Sequence, residues 1–232
     1  MADFNEDKNT LTLKTVYYGP ALSGKTTNLT KLHDLLQPQL RSDMMVLETK
    51  NDRTLFFDLL PVGLRTPSGL LVKVKLFTVP GQVIHDSTRK AVLSRADGVV
   101  FVADSQLTQI ENNAISFENL LENIGKLGLD TNKLPILVQF NKRDLPDIIS
   151  KDDVINLWKP TPWNIVFSSA LEGKGVTETF EGILSQVYSQ IDNQYQLHSK
   201  HGLAKTDFLN ELIRSSPKAN HSTNSSQENN LK

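Results

Sequence analysis

The segment from Gly19 to Thr26 constrains this chain more than any other part of its sequence. It reads GPALSGKT, with two glycines five positions apart followed by a lysine and a hydroxyl residue. A β-branched and aromatic run, residues 11–19, precedes it, and a helix-compatible run begins at Thr26. A glycine loop between a strand and a helix lets main-chain amides converge on a phosphate at the positive end of the helix. The segment therefore predicts a phosphate-binding loop.

Each residue type in this loop has an expected role. Gly19 and Gly24 let the amides turn inward, Lys25 reaches the β- and γ-phosphates, and Thr26 offers its hydroxyl to Mg²⁺. The full predicted phosphate site is Gly19, Ala21, Leu22, Ser23, Gly24, Lys25, Thr26 and Thr27. Because ATP and GTP share their phosphates, the loop alone does not choose between them.

The rest of the chain alternates strand and helix patterns. Residues 98–104 and 135–141 are nearly continuous apolar runs, typical of parallel strands covered on both faces. Residues 70–79 alternate apolar and polar side chains, and the Pro-Ser-Gly at 67–69 predicts a hairpin turn from a strand around 55–60. The expected fold is α/β: a three-layer sandwich with a mostly parallel sheet, one antiparallel edge strand and helices on both faces.

Length and composition limit the number of domains and the kinds of partner that we expect. The 232 residues suit one domain, expected over 1–198, with a helical extension over 199–214 and a disordered, polar, serine- and asparagine-rich tail over 215–232. Lysine and arginine total 25 against 26 acidic residues, so we expect no nucleic-acid partner. The chain has no cysteine and no long apolar run, so we expect a cytoplasmic protein without a lipid anchor or transmembrane segment.

A second motif follows the apolar strand that ends at Asn141. Residues 141–144 read NKRD, the asparagine-lysine-x-aspartate pattern of guanine recognition. Asp144 can accept two hydrogen bonds from guanine nitrogens, whereas adenine offers no such pair of donors. Lys142 would pack along the purine and Asn141 would brace the loops. After the next strand, Ser169 and Ala170 could present a backbone amide to the guanine carbonyl, although that pair is a weak signal alone.

Three stretches together resemble one family. They are YYGPALSGKTTNL at 17–29, NDRTLFFDLLP at 51–61 and TVPGQVIHDSTRKAVLSRADGVVFVADSQ at 78–106. With the guanine loop, the resemblance covers roughly residues 10 to 195 and is to the bacterial cell-polarity GTPases typified by MglA, Ras-like P-loop proteins. It implies a cytoplasmic switch that is recruited to a cell pole and controls polarity or gliding motility through effectors. It also implies a roadblock-fold activating partner, MglB, that supplies no arginine.

The resemblance assigns further residues. It implies that Arg53 is an internal arginine finger, that Gln82 orients the attacking water, and that Thr54 completes the magnesium shell with Thr26. Thr49 is an alternative to Thr54, and Gly81 would sense the γ-phosphate through its amide. His85 is expected to be a solvated loop residue. The expected activity is slow GTP hydrolysis with Mg²⁺ as cofactor.

Two residues that differ from patterns common among GTPases bear on catalysis. Thr78 stands where many GTPases have an aspartate, a change the family shares, and it predicts weaker magnesium binding. Ala21 replaces a glycine, and its methyl group predicts unusually slow hydrolysis. A GTP-loaded adaptor that does not hydrolyse its nucleotide is therefore an alternative function. An ATP-dependent kinase or ATPase is another, and Asp144 argues against it.

The extension beyond the expected GTPase domain carries one apolar stripe. Phe208, Leu209, Leu212 and Ile213 recur at helical spacing within residues 205–214. The stripe could dock on the protein's own surface or on a partner. We expect self-docking, because a single short stripe is more often buried internally.

Overall fold

The computed structural model describes residues 2–48, 56–82 and 86–213. Eight strands in these ranges form one sheet. They are β1 (Asp3–Asn5), β2 (Thr10–Tyr18), β3 (Met45–Glu48), β4 (Phe56–Arg65), β5 (Leu71–Thr78), β6 (Gly98–Asp104), β7 (Ile136–Asn141) and β8 (Asn164–Phe167). The helices are α1 (Lys25–Leu35), α2 (Asp86–Leu93), α3 (Ile110–Lys126), α4 (Lys151–Trp158), α5 (Val176–Tyr195), α6 (Leu197–His201) and α7 (Lys205–Ile213), with 3₁₀ turns at Pro38–Leu40 and Leu107–Gln109.

The strand order is β3-β4-β5-β2-β6-β7-β8, with β1 paired to β2. Strands β5, β2, β6, β7 and β8 are parallel to one another. Their carboxyl ends therefore lie at one edge of the sheet, where ligands of open α/β sheets bind. The predicted phosphate loop follows β2 and the predicted guanine loop follows β7, so both lie at that edge.

The hairpin predicted around residues 67–69 joins β4 to β5. Gly69 N donates to Thr66 O at 2.9 Å, and Leu70 N donates to the Thr66 hydroxyl at 3.0 Å. Strand β4 runs antiparallel to β5, as expected, but a further strand, β3, pairs outside it with antiparallel register. Neither β3 nor the short β1 was predicted, because four and three residues are too few to show a periodicity.

Two apolar cores lie on opposite faces of the sheet. Alternate residues of β6 divide between them: Val100 and Val102 join the core under α1 and α5, whereas Val99 and Phe101 join the core under α2 to α4. This period of two follows from the pleat of a strand. Because both faces are covered, β6 is apolar along nearly its whole length, as the sequence pattern indicated.

The C-terminal extension packs against the body of the protein. Phe208 and Leu212 are fully buried in the core under α5, and the Phe208 ring lies 5.3 Å from that of Tyr188. The Tyr188 hydroxyl donates to Leu203 O at 2.7 Å, which anchors the turn before α7. The apolar stripe is thus buried on the protein's own surface in this structure. The predicted tail over 215–232 lies outside the described residues.

Candidate functional site

The predicted phosphate loop connects β2 to α1 without a side-chain cap. Gly24, at the helix N-cap, has φ 97°, a left-handed conformation that favours glycine, and a Cβ there would overlap the Asn141 amide. The buried Lys25 Nζ donates to Gly19 O at 3.1 Å and to Pro20 O at 2.6 Å. The Ser23 hydroxyl is fully buried and has no hydrogen-bond partner among the described residues. A buried ammonium under a glycine loop at a helix N-terminus suits an anion.

Asn141, at the end of β7, connects its own loop by hydrogen bonds to the phosphate loop and to the loop after β8. Its Nδ2 donates to Ser23 O at 2.8 Å, within the phosphate loop. Its Oδ1 accepts from the Ser168 hydroxyl at 3.0 Å and from Ala170 N at 2.9 Å, in the loop after β8. Asn141 is 2% exposed, so these bonds are shielded from water. The bracing expected of this asparagine is present in the geometry.

A cavity of about 280 Å³ lies beside the hydrogen bonds of Asn141. Its lining comprises Leu22, Gly24, Thr27, Asn141, Lys142, Asp144, Leu145, Ala170 and Leu171. The structure thus brings together residues from all three predicted loops, although they are far apart in the sequence. Asp144 is exposed there, and its carboxylate is available to a ligand with two donors.

Lys142 has a partner that the sequence analysis did not identify. Its Nζ lies 2.7 Å from Asp104 Oδ2, a carboxylate that is buried at the end of β6. Lys142 itself has φ 65°, so its backbone is in the left-handed region. The ion pair holds the lysine stem along the wall of the cavity.

A second cavity, of about 310 Å³, lies at the other end of the phosphate loop. Its lining comprises Pro20, Ala21, Gly81, Gln82, Asn112, Ile115 and Ser116. Gln82 is exposed, and Gly81 contacts the loop directly, because a Cβ on Gly81 would overlap the main chain at Ala21. The predicted Arg53, Thr54, Thr49 and His85 lie outside the described residues.

The hydroxyls predicted near a metal lie around the same loop. Thr26 and Thr27 are exposed in the first turn of α1, and Thr78 is buried at the end of β5. Within residues 2–48, 56–82 and 86–213 no group of three or more His, Cys, Asp or Glu side chains could hold a metal ion.

Helix α2, beside Gln82, is attached to α3 by polar contacts that sequence reasoning missed. The buried Arg89 guanidinium lies 4.3 Å from the Tyr18 ring centroid and donates to the Ser116 hydroxyl at 3.0 Å. Burial lowers the pKa of Arg89. Asp86 accepts from Asn123 at 2.7 Å and from Asn119 at 3.1 Å, and these bonds lower the pKa of Asp86 to about 2.

The sequence analysis also did not identify a series of hydrogen-bonded, buried amide and hydroxyl side chains beneath the loops. Gln139 Nε2 donates to Asn28 Oδ1 at 2.9 Å and to Thr179 Oγ1 at 2.8 Å. All three side chains are at most 1% exposed. The only sequence signal was a glutamine inside the otherwise apolar strand around 135–141.

Comparison with known proteins agrees with this architecture. The model of the ADP-ribosylation factor family matches residues 66–187. The chain is 39% identical over 191 residues to the mutual gliding-motility protein MglA of Myxococcus xanthus, a match that covers 82% of this chain and 98% of that protein. It is 24% identical over 177 residues to ADP-ribosylation factor-like protein 6 of Caenorhabditis elegans, covering 74% and 85% of the two chains.

These matches confirm the α/β fold class and the resemblance drawn from residues 17–29, 51–61 and 78–106. They also support GTP binding and GTPase activity at the level of the family. Among the described helices, none combines the length and the apolar character that crossing a bilayer requires. The chain belongs to the MglA-like small GTPases.

Proposed function

We propose that this protein is a guanine-nucleotide switch that binds GTP or GDP with Mg²⁺ and hydrolyses GTP slowly. The observation that carries this proposal is the set of bonds made by Asn141. They join the phosphate loop at Ser23 to the loop at Ala170, and the cavity with Asp144 lies between them. One ligand with phosphates at one end and a purine at the other fits this arrangement.

The phosphates would be held mainly by main-chain amides of the loop, at Gly19, Ala21, Leu22, Ser23 and Gly24. Lys25 now donates to carbonyls of the same loop, and a phosphate oxygen would compete for that ammonium. The Ser23 hydroxyl, buried without a hydrogen-bond partner in the described part of the chain, is a further donor within the loop. Thr27 lines the cavity nearer the purine end.

Guanine selectivity would depend on Asp144, Lys142 and the loop that contains Ala170. The Asp144 carboxylate would accept two donors that adenine lacks, and the Lys142 stem would pack along the purine while its ammonium stays 2.7 Å from Asp104. The Ala170 amide is already bonded to Asn141 and the Ser169 amide to Lys174 O at 3.0 Å, so the neighbouring amide of Leu171 is the candidate for the base carbonyl.

The donor set fits magnesium. Mg²⁺ keeps several waters and takes few protein ligands when phosphates are present. The described residues offer Thr26 in the first turn of α1 and no acidic cluster, which is the donor set expected for an ion shared with a nucleotide. We propose Thr26 and Thr54 as the protein ligands. When bound, the ion would neutralise charge on the phosphates.

Hydrolysis would use Gln82 to orient water and Arg53 to stabilise charge on the transferred phosphoryl group. Gln82 lies in the cavity beside Ala21, which supports its role. Ala21 lines the same cavity as Gln82, and its methyl group, which a glycine would lack, is the reason we expect slow turnover. The same methyl group favours a second candidate, a GTP-loaded adaptor that does not hydrolyse its nucleotide.

The biological process follows by similarity alone. The relative from Myxococcus xanthus is named for gliding motility, and we propose that this chain controls polarity or motility through effectors. A roadblock-fold partner would stimulate it in the cytoplasm, at a cell pole. Phosphate release from GTP with and without such a partner tests this step: stimulation of the wild type supports the switch, and its absence favours the adaptor.

The binding proposal is tested with a fluorescent GDP analogue and competing nucleotides. Unlabelled GDP should displace the analogue at far lower concentration than ADP or ATP. In Asp144→Asn the preference should shift from guanine to xanthine, because an amide N–H can donate to the oxygen that xanthine carries at C2. Asp147→Asn, an exposed carboxylate beyond the motif, is the matched control and should retain guanine preference. Equal displacement by ADP and GDP would refute the proposal.

A further inference from the structure

Strand β7 carries two polar side chains on one face beneath the candidate site. They are Gln139 and Asn141, two residues apart and therefore on the same side of the pleat. Asn141 lies at the strand end and ties Ser23 to Ala170. Gln139 lies one step deeper, where it is fully buried.

The bonds of Gln139 extend in both directions to the same two loops. On one side Asn28 accepts from Gln139 and donates through Nδ2 to Gly24 O at 3.0 Å, in the phosphate loop. On the other side Thr179 accepts from Gln139 and donates to Gly175 O at 2.6 Å. A continuous chain of five groups therefore runs from one loop to the other.

Gly175 is linked, through backbone hydrogen bonds, to the loop proposed to bind the base. Ser169 N donates to Lys174 O at 3.0 Å and Lys174 N donates to Ser169 O at 3.1 Å, so the loop between them is closed on itself. Gly175 follows directly and is the N-cap of α5. A displacement of Gly175 would therefore move Ser169 and Ala170 with it.

The chemistry of this hydrogen-bonded chain restricts the residue types that suit position 139. Both ends are backbone carbonyls, which only accept, so Asn28 must point its oxygen towards residue 139 and Thr179 must accept there as well. Residue 139 then has to donate twice from one position. An amide NH₂ does this, whereas a carboxylate, a thioether or an aliphatic side chain does not. Since burial makes an unpaired acceptor costly, replacing the glutamine alone would leave Asn28 Oδ1 without the donor it has here and Thr179 Oγ1 without the bond it accepts.

We infer that Gln139, with Asn28 and Thr179, is a positioning residue that sets the separation between the phosphate-binding and base-binding loops. It touches no ligand atom, and it acts through Gly24 and Gly175. This inference rests on the proposed function. It adds that the affinity for ligands spanning both loops depends on residue 139, whereas the affinity for a ligand that meets the base loops alone does not.

The test compares GDP with guanosine on the full chain. In Gln139→Met, whose side chain is of similar length and has no donor, we expect GDP to bind at least about tenfold more weakly, which corresponds to about 1.4 kcal/mol. Guanosine, measured by competition with a fluorescent GDP analogue, should change by less than about twofold because it does not span the two loops.

A compensated variant separates positioning from stability. Asn28→Leu, Gln139→Met and Thr179→Val together remove every unpaired group, so the melting temperature should recover relative to Gln139→Met alone. GDP affinity should remain reduced, because no bond then connects the loops through Gln139. If the single variant is too unstable to purify, the triple variant carries the same comparison of GDP with guanosine.

Three results would overturn the inference. GDP and guanosine could weaken by the same factor, GDP affinity could stay at the wild-type value, or the triple variant could recover both stability and GDP affinity. Failure of the proposed function has a different signature: wild-type protein would then bind GDP no better than ADP, and the inference would fall with it.

Discussion

Gly81 lies directly against the main chain of Ala21. A Cβ on Gly81 would lie 2.8 Å from the carbonyl carbon of Pro20 and would overlap Cα of Ala21. Real Cβ atoms do not approach backbone so closely, so residue 81 has to be glycine for the loop and the segment after β5 to meet. The contact connects the proposed phosphate loop with the segment that carries Gln82.

Gly81→Ala should therefore impair hydrolysis selectively. The added methyl group pushes residue 81 and the neighbouring Gln82 away from the loop, and we expect the single-turnover rate of GTP hydrolysis to fall at least about tenfold, a loss of about 1.4 kcal/mol. GDP affinity should change by less than about threefold, because the base loops are untouched. Single-turnover phosphate release and a GDP titration measure the two effects.

Gly125→Ala is the matched control for that substitution. A Cβ on Gly125 meets nothing within 4 Å, and the residue is exposed on α3. Hydrolysis should remain at the wild-type rate, while the melting temperature should rise slightly because alanine favours a helix by up to about 1 kcal/mol. A wild-type rate in Gly81→Ala would show that the contact with Ala21 plays no part in turnover.

Ala21→Gly should act in the opposite direction. Removing the methyl group gives the γ-phosphoryl group and Gln82 more room, so intrinsic hydrolysis should accelerate several-fold, equivalent to about 1 kcal/mol of barrier. Ala21→Ser, with a larger side chain, should not accelerate it. Single-turnover assays without any activating partner make the comparison, and an unchanged or lower rate in Ala21→Gly would refute the idea that residue 21 limits turnover.

Leu212→Ala should destabilise the whole protein. Leu212 is fully buried in the core shared with α5, and truncating a buried leucine costs about 2–5 kcal/mol. At roughly 2–4 °C per kcal/mol for a chain of this size, the melting temperature should fall clearly. Leu157→Ala, at a leucine that is 62% exposed, should leave it nearly unchanged.

Truncation of the C-terminal extension should also lower the melting temperature. A chain that ends at Gln196 loses both buried side chains of α7, Phe208 and Leu212, and should melt at lower temperature than one that ends at Ile213. Equal melting temperatures for the two truncated chains would show that α7 does not stabilise the fold and is instead available to bind a partner.

Asp86 should make stability depend on acid pH. Hydrogen bonds from Asn123 and Asn119, with Lys90 3.1 Å away, lower its pKa to about 2, against about 3.9 in an unfolded chain. Because the folded pKa is depressed, the stabilisation is complete above about pH 4 and is lost as pH falls towards 2. Asp86→Asn should lower the urea midpoint at pH 7 and flatten its decline below pH 4.

The control for Asp86 is Asp7→Asn, at an exposed carboxylate in the turn between β1 and β2. Its urea midpoint at pH 7 should match the wild type. If Asp86→Asn shows the wild-type pH dependence, the bonds from α3 to Asp86 do not stabilise the folded state.

Local patterns in the sequence predicted much of this protein. The apolar runs of β6 and β7, the turn at 67–69 and the helical periodicity of α5 depend on near neighbours, so the element types and most of their positions were predictable. The loop at 19–26 and the NKRD at 141–144 are contiguous motifs, and the comparisons confirm the family they indicate.

Other features depend on contacts between distant parts of the chain. The bonds of Asn141 to Ser23 and of Gln139 to Asn28 join residues 118 and 111 positions apart, and the Arg89 guanidinium meets the Tyr18 ring only when α2 packs over β2. Periodicity shows which face of an element is buried but not what covers it. The sequence by itself determined the elements, the motifs and the family, and only the tertiary structure decided which buried polar groups pair, because pairing requires the strand order that brings them within hydrogen-bond distance.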